Sequence, residues 1–209
     1  MRSAVVFDCD GVLFDSWDAN VAYYNAIRSA LGLGPMEASL EAAAHVLSGP
    51  EVIERMFADD PTRLERAREL GRTIDYTPFY ALMAPAAGLF DVLGTLRGSH
   101  RLGMATNRGR TVTGVVEHFG LGAFLDAAVG IEDVPRPKPH PDVITECLVR
   151  LGVAPAAALY VGDARGDLLA AEAAGVAFVA VGDAPWSPAR LATLAELPAF
   201  VAGLGLGSG

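Results

Sequence analysis

Five short apolar runs punctuate the chain: "AVVF" at 4–7, "LGMAT" at 102–106, "AAVG" at 127–130, "ALYVG" at 158–162 and "FVAVG" at 178–182. Runs of four or five apolar residues bounded by polar or turn residues predict buried strands. From residue 85 onward they alternate with segments of helical length and periodicity at 89–98, 112–120, 142–152 and 167–175, several closing on Gly as helix C-termini do. Strand alternating with helix predicts an α/β fold built on a doubly wound, mostly parallel, Rossmann-like sheet.

The first strand breaks this rhythm, because residues 16–84 hold no strand-like run. Residues 18–32 place Val21, Tyr24, Ile27, Ala30 and Leu31 on one helical face. "EASLEAAAHVLSG" at 37–49 and "PTRLERARELGRTI" at 61–74 read as further helices. The expected organisation is a core of residues 1–15 and 85–209, with an all-helical cap of 16–84 rising from the carboxyl edge of the sheet. In open α/β sheets that edge is where ligands bind. The tail "GLGLGSG" is low in complexity, and no internal repeat is visible.

Composition removes several classes. The 209 residues are 52% hydrophobic, enough for a substantial core and incompatible with a disordered chain. Net charge is −9, and the loose series Arg63, Arg66, Arg68 and Arg72 reads as one solvated helix face, so nucleic acid is excluded as a partner. No apolar window is long enough to span a bilayer, and the first residues lack the pattern of a signal peptide; a cytoplasmic location without membrane contact is expected. Cys9 and Cys147 lack metal-ligand spacing and read as reduced packing residues. Of the 16 basic residues only Lys138 is a lysine, a compact point charge that arginine does not replace.

Four polar clusters fall at ends of predicted strands: Asp8 and Asp10 after the first, Thr106 and Asn107 at the second, Lys138 after the third, and Asp163 and Asp167 after the fourth. All land on one edge of one sheet. Together they supply the parts of a phosphoryl-transfer site. Two or three carboxylates suit Mg²⁺, which prefers hard oxygen ligands. The Thr106 hydroxyl, the Asn107 main-chain N–H and the Lys138 ammonium can hold phosphate oxygens and offset their charge. Asp8 can attack phosphorus as nucleophile and Asp10 can serve as general acid and base. A calcium loop is ruled out by Ala19 at loop position twelve and by the strand before Asp8.

In order and content, "VVFDCDGVLFDS", "MATN", "RPKPHPD" and "YVGDARGDLLAAEAAG" resemble the haloacid dehalogenase superfamily, in its phosphoglycolate-phosphatase-like branch with a helical cap inserted after the first motif. The resemblance covers essentially the whole chain. It implies a Mg²⁺-dependent phosphatase acting on a small phosphorylated metabolite through an aspartyl-phosphate, as monomer or homodimer. Asp10 then also offers a backbone-carbonyl ligand, Asp163 ligates the metal, Asp167 is a further metal-site acid, and "VLFDS" matches the family's mobile turn. Dehalogenase members lack the second acid, which Asp10 supplies here. Phosphonatase members need a cap lysine, and residues 16–84 contain none. β-Phosphoglucomutases place a His where this chain has Asn20, which disfavours a phosphosugar mutase.

A phospho-accepting receiver-like signalling module combines similar residues, but carries its phosphorylated Asp later and has no cap. A relative that only binds phosphorylated metabolites is disfavoured because no motif position is missing. In the cap, His45, Ser48 and Gly49 lie in a turn that in relatives faces the active site, and they are the candidate substrate contacts. Tyr24 falls on the apolar stripe and reads as packing. Arg108 and Arg165 follow site residues and fit either anion steering or a solvated surface.

Overall fold

The computed structural model describes residues 3–44 and 47–205. Its elements run β1 (Ala4–Phe7), β2 (Phe14–Asp15), α1 (Trp17–Ala30), α2 (Ala38–Ala44), α3 (Gly49–Met56), α4 (Pro61–Thr73), β3 (Ala84–Pro85), α5 (Leu89–Arg97), β4 (Arg101–Ala105), α6 (Val112–His118), β5 (Ala127–Val129), α7 (Asp142–Leu151), β6 (Ala158–Gly162), α8 (Arg165–Ala174), β7 (Ala177–Val181), β8 (Arg190–Leu191) and α9 (Leu197–Leu204). The five predicted strands are present, each within a residue or so of its expected bounds. They form a six-stranded sheet in the order β5-β4-β1-β6-β7-β8, parallel throughout. The α/β doubly wound expectation is met.

The apolar runs are continuous because both faces of the sheet are covered. Val5 and Phe7 point into one core with Leu102, Met104, Leu159 and Val161, closed by residues of α5, α6 and α9. Ala4 and Val6 point the other way, with Ala105 and Tyr160, against Ile144, Cys147 and Leu148 of α7 and Ala170 and Ala171 of α8. Side-chain alternation along a strand thus divides one run between two cores. Cys9 and Cys147 are free and buried, consistent with packing roles, and burial pushes the Cys147 thiol up to about 12. Among the described residues no helix is long and apolar enough to cross a membrane.

β1 is hydrogen-bonded to β4 on one side and β6 on the other, so the chain leaves the sheet in opposite directions from its centre. A crevice at the carboxyl ends of these strands follows from that switch. Here β1 runs into a tight loop, closed by Leu13 N–H and Phe14 N–H donating to the Cys9 carbonyl, and then into β2. β2 pairs antiparallel with β3, Phe14 opposite Pro85 and Asp15 opposite Ala84. α1 to α4 lie between these two strands and hold their own apolar cluster, including Tyr24, Ile27, Met36, Val52, Ile53 and Phe57.

The helix expected over 37–49 is present as α2 at Ala38–Ala44, and a separate helix, α3, begins at Gly49. α3 starts there because Ser48 and Glu51 form a capping box. The Ser48 N–H and hydroxyl both donate to Glu51 Oε2, at 2.8 and 2.6 Å, and Pro50 sits in the first turn, where its missing N–H costs nothing.

Candidate active site

The loops after β1, β4, β5 and β6 bring Asp8, Asp10, Thr106, Asn107, Lys138, Asp163 and Asp167 to one cavity of about 550 Å³. Asp8 directly follows β1, with its N–H donated to the Val161 carbonyl at 2.9 Å, which ties its main chain to β6. Carboxylate oxygens of Asp8, Asp163 and Asp167 lie within 4.8 Å of one another. Two glycines permit this. Gly11 has φ +76, and a Cβ on it would lie 2.0 Å from Asp163 Oδ2; a Cβ on Gly162 would lie 2.4 Å from the Asp167 Cβ.

Lys138 is the centre of charge. Its Nζ is 2.6 Å from Asp167 Oδ1, 2.8 Å from Asp8 Oδ1 and 3.0 Å from the Tyr160 hydroxyl. Tyr160, inside β6, donates its own proton to the Ala105 carbonyl at 2.7 Å. The Lys138 main chain is fixed by Asn107, whose side chain accepts from Lys138 N–H at 2.8 Å and donates to the Lys138 carbonyl at 3.1 Å. Burial alone would lower the ammonium's pKa, but Asp167 and Asp8 outweigh it and hold it well above its usual value.

Asp167 is used on both sides. Oδ2 accepts the Asp163 and Ala164 N–H groups at 3.1 and 3.0 Å, capping α8, while Oδ1 faces Lys138. Asp8 differs. The approach of Lys138 to its Oδ1 is an ion-pair contact without hydrogen-bond direction, and this buried oxygen has no hydrogen-bond partner. Burial pushes Asp8 up to about 7, against the pull of Lys138 and with the added repulsion of Asp167 and Asp10. Burial, then Asp8 and Asp167, push Asp163 to about 8. Crowded carboxylates with an orphaned oxygen and hard-oxygen chemistry fit a small divalent cation, which would remove the repulsion.

Asp10 turns away from that group. Arg108 Nε and Nη2 grip its carboxylate at 2.8 and 2.6 Å, and Ser16 donates to Oδ1. Burial would raise the Asp10 pKa, yet Arg108 and the Ser16 hydrogen bond bring it below the usual range. Thr106 is buried, and its Oγ1 accepts the Arg108 N–H at 3.2 Å. Arg108 is buried and lines the cavity, whereas Arg165 is exposed and does not line it.

From the helical insertion, Gly49 lines the cavity together with Asn20, Tyr23, Tyr24 and Tyr76. The Ser48 hydroxyl is committed to Glu51, and His45 lies outside the described residues. Arg68 and Arg72, on the face expected to be solvated, reach the cavity rim. Sequence reasoning did not single out Tyr160, Gly11 or Gly162. The glycines directly after the first acids and directly before "DARGD" are the local signal for close approach; a tyrosine inside an apolar strand has none.

Residues 5–181 match a family model described as haloacid dehalogenase-like hydrolase. A phosphoglycolate phosphatase of Chromobacterium violaceum is 32% identical over 196 residues, covering 86% of this chain and 84% of that protein. Pyrophosphatase PpaX of Bacillus velezensis is 28% identical over 175 residues, covering 83% and 80%. Among solved structures, a HAD-superfamily hydrolase of subfamily IA, variant 1, from Geobacter sulfurreducens superposes with TM-score 0.76 at 34% identity over 96% of each chain.

Proposed function

Because the chain belongs to the haloacid dehalogenase-like hydrolases, we propose that it is a Mg²⁺-dependent phosphatase of a small phosphomonoester, working through an aspartyl-phosphate on Asp8. The observation that carries this reading is the buried Asp8 carboxylate, which faces the Lys138 ammonium at 2.8 Å and shares its surroundings with Asp163 and Asp167. Relatives named as a phosphoglycolate phosphatase and a pyrophosphatase support a small phosphorylated substrate.

The substrate phosphate would rest on the Lys138 ammonium, the Thr106 hydroxyl and the Asn107 N–H. An Asp8 oxygen attacks phosphorus as the bond to the leaving oxygen breaks, and Asp10 delivers the proton that the leaving group takes. Asp10 then removes a proton from water, whose oxygen attacks the phosphorus and returns Asp8 as a free carboxylate. Asp8, Asp163 and the Asp10 carbonyl would hold Mg²⁺, with Asp167 behind them bracing Lys138. Bound there, the ion offsets charge shared between Asp8 and the phosphate oxygens. Residues 16–84 act in this reading as a cap over the cavity, with Gly49 in its wall, excluding bulk water during the reaction.

The test is hydrolysis of p-nitrophenyl phosphate with Mg²⁺. Asp8→Asn is expected to abolish turnover, and retention of more than a few per cent of the rate removes Asp8 as nucleophile. Asp10→Asn is expected to lower turnover by about 10²–10⁴-fold, the usual contribution of a positioned acid/base, with Mg²⁺ binding preserved.

A further inference from the structure

Arg108 does more than line the cavity. It follows Thr106 and Asn107 on the loop after β4, is 8% exposed, and grips both oxygens of Asp10. Its guanidinium carbon stands 5.4 Å from the centre of the Tyr76 ring. A carboxylate in such a fork accepts hydrogen bonds and has no proton to give. For Asp10 to protonate a leaving group the fork must open, and a buried guanidinium stripped of its anion is costly. The opening therefore needs a replacement anion. Arg110, two residues further on, also lines the cavity. It donates to the main-chain carbonyls of Gly71, at 3.0 Å, and Ile74, which are neutral acceptors; the exposed Asp75 carboxylate feels its charge, but no carboxylate forms an ion pair with it among the described residues. Beyond the reacting acids the cavity thus carries the guanidinium groups of Arg108 and Arg110 beside the β4 loop, with Arg68 and Arg72 at its rim, and it has room for more than one phosphate.

We propose that Arg108 is a specificity-determining residue that exchanges partners, releasing Asp10 to take a second anionic group of the substrate, so that phosphate compounds bearing a further carboxylate or phosphate are cleaved in preference to those without one. The proposal rests on the phosphatase reading above. It makes substrate charge the condition for arming the acid/base, and recognition and chemistry share one side chain. A bidentate fork is required for the exchange; a lysine offers charge without that geometry.

The experiment compares kcat/KM for 2-phosphoglycolate, pyrophosphate and 2-hydroxyethyl phosphate, with Mg²⁺, in the wild-type protein and in Arg108→Lys. The last compound matches the first in length and lacks its carboxylate. The wild type is expected to favour at least one anion-bearing compound by about 30-fold or more, the scale of losing one partner of a buried charge pair. Preference for 2-phosphoglycolate assigns a carboxylate, and preference for pyrophosphate a phosphate. Arg108→Lys is expected to collapse that ratio, raising KM and lowering kcat for the favoured compound. Equal wild-type values for all three compounds overturn the proposal, whether or not the variant folds. So does a variant that slows all three alike, which would make Arg108 only a brace for Asp10. Wild-type turnover of p-nitrophenyl phosphate without preference sinks the exchange alone; no turnover of any of the four compounds sinks the phosphatase reading and the exchange with it.

Discussion

The carboxyl edge of the sheet and the helices inserted above it hold their charges in opposite ways. At the edge, Lys138 and Arg108 are buried and each meets buried or half-buried carboxylates. In the insertion, Arg68 with Glu54 and Arg63 with Asp60 form pairs whose side chains are 39–55% exposed. Exposed pairs contribute roughly 0–1 kcal/mol each, whereas stripping one partner from a buried pair costs about 3–5 kcal/mol. The edge is a locked assembly in which each charge depends on the others. In the insertion, by contrast, changed charges are expected to cost little of the fold.

The sharpest way to break this contrast is Lys138→Met. It leaves the Asp8 and Asp167 carboxylates facing each other without their cation, and is expected to cost about 3–5 kcal/mol in urea unfolding and to remove turnover. A cost near that of a surface substitution would show that the edge is not interlocked. Gly11→Ala forces both a collision with Asp163 and φ +76 on a residue with a Cβ, for an expected loss of about 1–3 kcal/mol together with the Mg²⁺ response of the melting temperature.

Acidity sharpens the comparison further. Asp163 keeps its proton in the folded chain up to about 8, against 3.8 for an ordinary Asp. Between those values the folded state binds more protons than the unfolded state, so stability falls as pH rises. This contribution is complete below the lower value and gone above the upper. In EDTA the urea midpoint is therefore expected to fall from pH 5 to pH 8, and Mg²⁺ is expected to recover it at pH 8; a midpoint that rises instead removes Asp163 from the crowded cluster. The smallest effect is expected for Arg68→Ala, under about 1 kcal/mol by the same measurement.

Much of the sheet was legible because its signal is local. Runs such as "AVVF" and "ALYVG" are apolar on both faces, and covered parallel strands are what that pattern selects. The acids, Thr106 and Lys138 were legible for a related reason, since each ends or follows a strand whose neighbour is set by sheet order. α3 had a readable start in Ser48 and Glu51, but Gly49 and Pro50 between them also fit a turn. The fate of Arg108 had no local signal. An arginine after a strand reads alike whether solvated or buried, and its burial depends on Asp10, Tyr76 and Met83, which only the closed fold brings together. Asn107 was singled out for its main-chain N–H, while its side chain fastens the Lys138 loop, a partnership across loops that no spacing encodes.

The pairing of Phe14 and Asp15 with Pro85 and Ala84 sets the chain's exit from the core beside its return. A segment entered and left through adjacent rungs behaves as a cassette: its length and content can be exchanged without displacing a strand of the large sheet. Grafting residues 16–83 for the equivalent stretch of a relative is thus expected to transfer ligand preference while leaving Asp8, Asp10, Lys138 and Asp163 in register.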